Sequence, residues 1–346
     1  MYPGRMKAVV IRHPGKGIEA WQLIDRPDPE PGPGQVLVRV RAAALNYRDL
    51  LVAHGRYGGP LKPDLVPLAD GVGDVVAVGA GVTRWQRGDR VAGAYFQTWQ
   101  AGPMRAEYFH HSGGTHATEG MLAQYAVLPE TGVVRIPAYL SYEQAATLPC
   151  AAVTAWAALM EPAPRWAPGA TVVVLGTGGV SIFVAQLAIA AGLRVIATSS
   201  SEAKIMRLRE LGVTDVINYR TTPEWPQQVA RLTDGEGADH VVDVGGAGTL
   251  PRSFEAVKVG GVVSLIGLLA GLDIAIDPMP VLFKSIRLEG LTVGSVTMFE
   301  ALNRMLARTR VVPVVDEVFP LERASAALSK MAAATHYGKI VIRIDD

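Results

Sequence analysis

The segment Thr171-Val-Val-Val-Leu-Gly176-Thr177-Gly178-Gly179-Val180-Ser181 joins a short apolar run to glycines and then to a helical pattern, Ile182–Ala191. Residues of these types in this order suit phosphate chemistry. A strand that turns through glycine into a helix brings backbone N–H groups, and the positive end of the helix, against a pyrophosphate. Gly176 permits the tight turn and Gly178 leaves room for the phosphates, while Ser181 stands where a small residue lets helix and strand pack closely. Gly176, Thr177, Gly178, Gly179 and Val180 are therefore candidate contacts of a dinucleotide. About twenty residues further on, such a fold reads the adenosine ribose, with Asp or Glu where a free 2′-hydroxyl is preferred. Here Arg194–Thr198 is followed by Ser199-Ser200-Ser201, then by Lys204 and later by Tyr219-Arg220. Hydroxyls and cations suit a 2′-phosphate, which a carboxylate would repel, so NADP(H) is expected over NAD(H). The plainer reading of Lys204 and Arg220 is two solvated surface charges.

Such a turn needs a parallel sheet beneath it. From about Cys150 to Leu288, apolar runs at Val172–Leu175, Val195–Thr198, Val216–Asn218, His240–Val244 and Val262–Gly267 alternate with helical patterns. That alternation predicts right-handed βαβ crossovers. Earlier, Lys7–Ile11, Gln35–Ala42, Gly71–Val78, Arg90–Ala94 and Leu122–Leu128 read as strands of a β-rich block punctuated by Pro and Gly. The last block has helical patterns at Met298–Arg308 and Leu321–Ala334 and a strand at Lys339–Ile344, and is expected to rejoin the first. The domains so predicted are 1–149, 150–288 and 289–346. A cleft between domains is the expected place for a nicotinamide and its substrate.

At 346 residues the chain can bury two cores. A net charge of +1 leaves no broad basic footprint for nucleic acid. No apolar run reaches the roughly 18–20 residues that cross a bilayer, so no membrane partner is expected. The start, Met1-Tyr-Pro-Gly-Arg-Met6, lacks the apolar core of a signal peptide, and the single cysteine, Cys150, excludes an internal disulfide. A cytoplasmic protein is the expectation.

Further motifs carry a resemblance over essentially the whole chain. Pro31-Gly-Pro-Gly-Gln-Val-Leu-Val, Leu45-Asn46-Tyr47-Arg48-Asp49, Val76-Ala-Val-Gly79, Gly88-Asp89-Arg90-Val91 and Ala146-Thr-Leu-Pro-Cys150-Ala-Ala-Val-Thr154-Ala-Trp run in order before the glycine turn. Together they resemble the medium-chain dehydrogenase/reductases, in the zinc-independent branch that is alcohol dehydrogenase-like and includes quinone oxidoreductases. The resemblance implies an α/β fold: a Rossmann doubly wound parallel sheet plus a GroES-like β-rich catalytic domain. It also implies that Thr154, Val244, Gly245, Gly267, Leu268, Val293, Gly294 and Ser295 approach the cofactor. Lys339 resembles a late residue near the cofactor, or is a strand-edge charge.

Zinc-using members of the family have ligands at positions that map to Asn46, Ala69 and Cys150, in a stretch reading Leu68-Ala69-Asp70-Gly71 here. A catalytic zinc needs three protein ligands, so the resemblance implies a site without zinc. Cys150 is expected to be a buried packing residue. His110-His111 with His116 and Glu107 or Glu119 could hold a metal, or the Phe96–Gly114 loop could cover the substrate. The implied function is zinc-independent, NADP(H)-dependent hydride transfer to a quinone, enone or related carbonyl compound. Asn46 and Arg48 would polarise its oxygen, and Tyr47 would donate a proton or serve as an aromatic wall. Asp49 would orient the turn. An alcohol dehydrogenase acting on an alcohol/ketone pair, and an NADPH-binding protein with little turnover, remain open. Family members pair through edge strands, so a homodimer formed through Ile286–Val293 is expected.

Overall fold

Gln35–Ala44 alternates buried Val36, Val38 and Val40 with half-exposed residues, the period of a strand with one face on a core. Thr171–Leu175 is buried at every position, as a strand covered on both faces must be. These two patterns belong to the two units into which the computed structural model divides. It describes residues 4–57, 59–116, 118–161, 166–271 and 276–345. Gly58 and Met1–Pro3 lie outside the described residues.

The first unit comprises residues up to Val153 and from Val293 onward. Its strands before the second unit are β1 (Arg5–Ile11), β2 (Trp21–Pro27), β3 (Gln35–Ala44), β4 (Asp70–Val78), β5 (Arg90–Gly93), β6 (Tyr125–Pro129) and β7 (Val133–Arg135). The second unit, Thr154–Thr292, contributes β8 (Thr171–Leu175), β9 (Arg194–Ser199), β10 (Asp215–Asn218), β11 (Ala238–Asp243), β12 (Val257–Leu265) and β13 (Arg287–Gly290). The chain then returns with β14 (Val315–Pro320) and β15 (Lys339–Arg343). Cys150 therefore belongs to the first unit, and β13 carries the second past the expected boundary at 288. The reason is pairing, since Glu289 and Gly290 are in register with Ser264 and Leu265 of β12.

In the first unit β1 and β2 form an antiparallel ribbon, and a larger sheet runs β14-β15-β3-β4-β5-β7 with β6 also on β3. β15 lies between β14 and β3, so it is not an edge strand. The second unit's sheet has the order β10-β9-β8-β11-β12-β13 and every pair is parallel. The order reverses between β8 and β11. In open α/β sheets that switch point is where ligands bind, outside the carboxyl ends of the strands.

β2, β7 and β14 were not expected from the sequence. Each is short or half-exposed, so neither hydrophobic period shows through. Gly73 shows why glycine punctuates β4. A Cβ there would overlap the carbonyl oxygen of Arg39 on β3, where the pairing register shifts. Gly73→Ala should cost ~3 kcal/mol or more of stability through this overlap with backbone; a thermal melt within a degree or two of the wild type would contradict it.

Candidate functional site

The glycine turn sits at the switch point. Gly176, at φ +74°, follows β8 in a conformation that L side chains rarely adopt. Its N–H donates to the carbonyl of Thr198 at 3.0 Å, tying the turn to β9. The helix Gly179–Ala190 begins at Gly178 with no side chain capping it, and a Cβ added at Gly178 would meet nothing within 4 Å. Gly178 thus borders open space at the helix end whose N–H groups lack intrahelical partners. Ser181 donates its hydroxyl to the Leu175 carbonyl at 2.8 Å, pinning helix to strand. A pyrophosphate fits this cradle.

Some of the other residues expected around a dinucleotide follow strand ends of the same sheet. Thr177 and Ser199 are buried, Ser200 and Lys204 half-buried, and Tyr219 and Arg220 exposed beyond β10. Glu202 accepts from the Asn218 amide at 2.5 Å, so the carboxylate nearest the serines ties the β9 and β10 loops together. Val244 and Gly267 follow β11 and β12, and their loops touch: the Ala270 N–H donates to the Gly245 carbonyl at 2.7 Å. Leu268 is exposed at the end of β12. Thr154 is buried in the helix Val153–Met160. Val293 and Gly294 belong to the first unit, where a Cβ on Gly294 would press on Val153 and Met298 at 2.8 Å.

Asp243 was missed by the sequence reading. Fully buried at the end of β11, it accepts the N–H groups of Gly245 and Gly246 at 2.9 Å and the hydroxyls of Thr249 at 2.7 Å and Ser253 at 2.6 Å. It shapes the loop at the switch point. The available signal was a carboxylate immediately before a glycine-rich turn at a strand end.

In the first unit a second site forms where β3 ends. Lys339, 3% exposed on β15, donates to the Leu45 carbonyl and to Asn46 Oδ1, both at 2.6 Å. Its ammonium also lies 3.5 Å from Asp70 Oδ2, and Asn46 Nδ2 donates to that same oxygen at 2.9 Å. An ammonium only donates, so it fixes the amide: Oδ1 faces Lys339 and Nδ2 faces Asp70. One Nδ2 hydrogen is left for another acceptor. Burial raises the Asp70 pKa, while Lys339 and the Asn46 hydrogen bond act to keep it ionised. Lys339 is thus neither a strand-edge charge nor a solvent-facing cation.

Arg48 corrects the expectation that it polarises a substrate. Its guanidinium is buried and donates to the carbonyls of Gly113 at 2.8 Å and Gly114 at 3.2 Å. It lies 5.3 Å from the centre of the Tyr57 ring and 5.1 Å from that of Tyr95. Asp49 accepts the Asn46 N–H at 2.7 Å, which orients the turn. Tyr47 is exposed on the first turn of the helix Tyr47–Ala53.

The Phe96–Gly114 loop is anchored by aromatic packing, while Ala101–Pro103, Arg105–Glu107 and Phe109–His111 are exposed. Phe96 and Trp99 are buried, Phe96 meets Phe109 edge-on at 5.6 Å, and Trp99 stacks on Tyr108 at 5.8 Å. His110 and His116 meet ring to ring at 5.4 Å. Among the described residues no group of three or more His, Cys, Asp and Glu side chains is placed to hold a metal ion. At the positions that the family resemblance maps to zinc ligands, Asn46 is engaged by an ammonium and Ala69 offers no donor. Cys150 retains some exposure, and burial together with the charge of Asp70 pushes its thiol pKa up. These residues do not fit a zinc ion.

Residues 32–138 match the model of the alcohol dehydrogenase GroES-like domain, and residues 179–308 that of the zinc-binding dehydrogenases. A zinc-type alcohol dehydrogenase-like protein of Schizosaccharomyces pombe is 40% identical over 90% of this chain and 92% of its own. The chain belongs to the medium-chain dehydrogenase/reductase superfamily. It is an oxidoreductase of that family, whose members bind a nicotinamide cofactor. A crystal structure of a candidate alcohol dehydrogenase from Sinorhizobium meliloti 1021 superposes with a TM-score of 0.92 at 37% identity, covering 99% of this chain and 100% of the other. An acryloyl-coenzyme A reductase of Metallosphaera sedula is 28% identical over 97% of this chain and 99% of its own.

Asp49 makes the electrostatics testable. Burial raises its pKa from 3.8 to about 6, against the pull of Arg48, whose Nε lies 3.6 Å from Oδ1. The folded state then holds a proton that the unfolded chain releases. The resulting stability is fully present below the unfolded pKa of 3.8 and is lost as pH rises through about 6. Urea melts of wild type and Asp49→Asn from pH 4 to 7 should show the wild type losing stability relative to the variant over that window; parallel curves would contradict this.

Proposed function

We propose that this enzyme is a zinc-independent, NADP(H)-dependent reductase that delivers hydride to the electron-poor carbon of a quinone, enone or related carbonyl compound. The observation that carries the reading is the Asn46 amide held between Lys339 and Asp70 at the family's metal position. A dihydronicotinamide, when bound, supplies the hydride. The turn Gly176–Val180 binds the pyrophosphate through N–H groups, and Ser199, Ser200, Lys204, Tyr219 and Arg220 receive the 2′-phosphate. Thr154, Val244, Gly267, Leu268, Val293 and Gly294 are assigned to the cofactor groove. Lys339 is reassigned from cofactor contact to positioning residue, because its ammonium is bonded to Leu45 and Asn46.

When hydride reaches the β-carbon of an enone or a quinone ring carbon, negative charge gathers on the carbonyl oxygen. The remaining Asn46 amide hydrogen stabilises that oxygen as it becomes anionic. Such preoriented donors do this in other enzymes without a metal. A simple ketone gains more from a Lewis acid, because charge must develop directly on the attacked carbonyl. The reductase among the relatives supports this choice, since the compound in its name is itself a conjugated carbonyl. The second reading, an alcohol dehydrogenase on an alcohol/ketone pair, is favoured by the names of most relatives. A cofactor-binding protein with little turnover is a third reading, opposed by the intact polar cluster.

We also assign the enzyme to the cytoplasm; among the described residues no helix is long and apolar enough to cross a membrane. We assign it to a homodimer formed along β13, the sheet's edge strand, beside the helix Pro278–Phe283, whose Leu282 and Phe283 are 71% and 72% exposed. Light scattering should give twice the chain mass; the mass of one chain would remove the dimer.

The deciding experiment follows NADPH and NADH consumption with a panel of quinones, enones and ketones in excess chelator. Turnover of enones or quinones that survives chelation, at least ~10-fold faster with NADPH, is the expected result. Activity abolished by chelator, or confined to ketones, would transfer the assignment to the alcohol dehydrogenase reading.

A further inference from the structure

Glu202 is the first residue of the helix Glu202–Glu210 and follows Ser199-Ser200-Ser201 directly, so a carboxylate borders the residues proposed to receive the 2′-phosphate. It is exposed. An unrestrained carboxylate beside that position would accept the free 2′-hydroxyl of NADH and repel the phosphate of NADPH. In this chain the carboxylate has a partner. Asn218, the last residue of β10, donates from Nδ2 to Glu202 Oε1 at 2.5 Å. The other end of the same amide, Oδ1, accepts the Arg220 N–H at 3.0 Å. We propose that Asn218 is a specificity-determining residue: it holds the Glu202 carboxylate at the end of β10, so that Ser200 and the neighbouring cations meet the 2′ substituent instead. This rests on the NADP(H) reading given above.

The orientation of the amide follows from its two neighbours. A backbone N–H only donates and an ionised carboxylate only accepts, so Oδ1 faces Arg220 and Nδ2 faces Glu202. Both contacts demand the same orientation, and reversing the amide would lose both at once. The backbone around it is held by other bonds. The Asn218 carbonyl accepts the Thr222 N–H at 2.8 Å, and the Tyr219 N–H donates to the Ser199 carbonyl at 3.1 Å. Removing the Asn218 side chain therefore leaves the turn after β10 with its own supports.

The serines divide their work in a way that fits. Ser199 Oγ accepts the Ser201 N–H at 3.3 Å, and Ser201 Oγ accepts the Lys204 N–H at 3.4 Å as the cap of the helix. Among the described residues, no hydrogen bond of the protein uses the Ser200 hydroxyl. Ser200 is thus the hydroxyl that the loop does not need for itself, and Glu202 is the group that would compete with a phosphate bound to it. A glutamate side chain has three rotatable bonds, so without the Asn218 amide the carboxylate is free to turn back toward the serines.

The test is equilibrium fluorescence titration of the full chain with NADPH and with NADH, which reads both dissociation constants without turnover. Asn218→Ala should raise the Kd for NADPH about 5-fold, the scale of one partly screened charge, with that for NADH unchanged or lowered. The effect should shrink as salt is added. Glu202→Gln should improve NADPH binding more in the Asn218→Ala background than in the wild type, so that the double variant binds NADPH at least as tightly as the wild type. Melting temperatures near wild type would show that the variants fold. An Asn218→Ala protein with an unchanged ratio of the two Kd values would overturn the assignment, as would equal weakening of both cofactors. An equal gain from Glu202→Gln in both backgrounds would do the same, because it makes the two residues independent. In each of these cases a wild-type preference for NADPH would leave the cofactor reading intact. Tighter binding of NADH than of NADPH by the wild type would instead remove that reading, and the role of Asn218 with it.

Discussion

A buried ammonium governs the first unit. Lys339 sits on an interior strand with almost no exposure, and a charge removed from water must be matched closely. Its three partners fix three segments at once: Leu45 at the end of β3, Asn46 at the start of the following helix, and Asp70 at the start of β4. Arg48 and Asp49 add a second pair, so the pocket holds two cations against two carboxylates. Removing one member would leave an uncompensated charge, at a cost of about 3–5 kcal/mol. The arrangement therefore contributes less as net stability than as a constraint: it permits one orientation of the Asn46 amide.

The second unit solves its positioning problem with backbone instead of charge. Parallel strands buried on both faces supply a rigid base, and the glycine turn exposes N–H groups at the point where the strand order reverses. Asp243 shapes the adjoining loop through four hydrogen bonds to backbone and hydroxyls. Rigid scaffolding below and polar groups at the rim are what a phosphate cradle requires, because donors that need no rearrangement bind an anion most effectively.

The contrast between the units bears on chemistry. A zinc ion would supply a mobile positive charge directly to a substrate oxygen. Here the cations are tied down: Lys339 to Leu45 and Asn46, Arg48 to loop carbonyls. Under the proposed reductase reading, what they offer a substrate passes through a neutral donor, the Asn46 amide.

The glycine turn was legible in the sequence because it is local. Strand, glycines and helix are consecutive, and both backbone conformation and open space follow from the absence of side chains at Gly176 and Gly178. The fold was legible too, through alternating periods of buried residues and through ordered family motifs, although β2, β7 and β14 were too short or too exposed to show either period. The polar cluster of the first unit was only half legible. Asn46 could be singled out from its neighbours, but Lys339 is 293 residues away, and its meeting with Asn46 is decided by the pairing of β15 with β3. Arg48 shows the limit most plainly. Its type suggested a hand extended to substrate, and only tertiary packing revealed that Gly113 and Gly114 had already taken both ends of the guanidinium. Sequence determines which groups can donate and accept; the folded chain decides which of them are already spent on each other, since that depends on contacts between residues far apart along it.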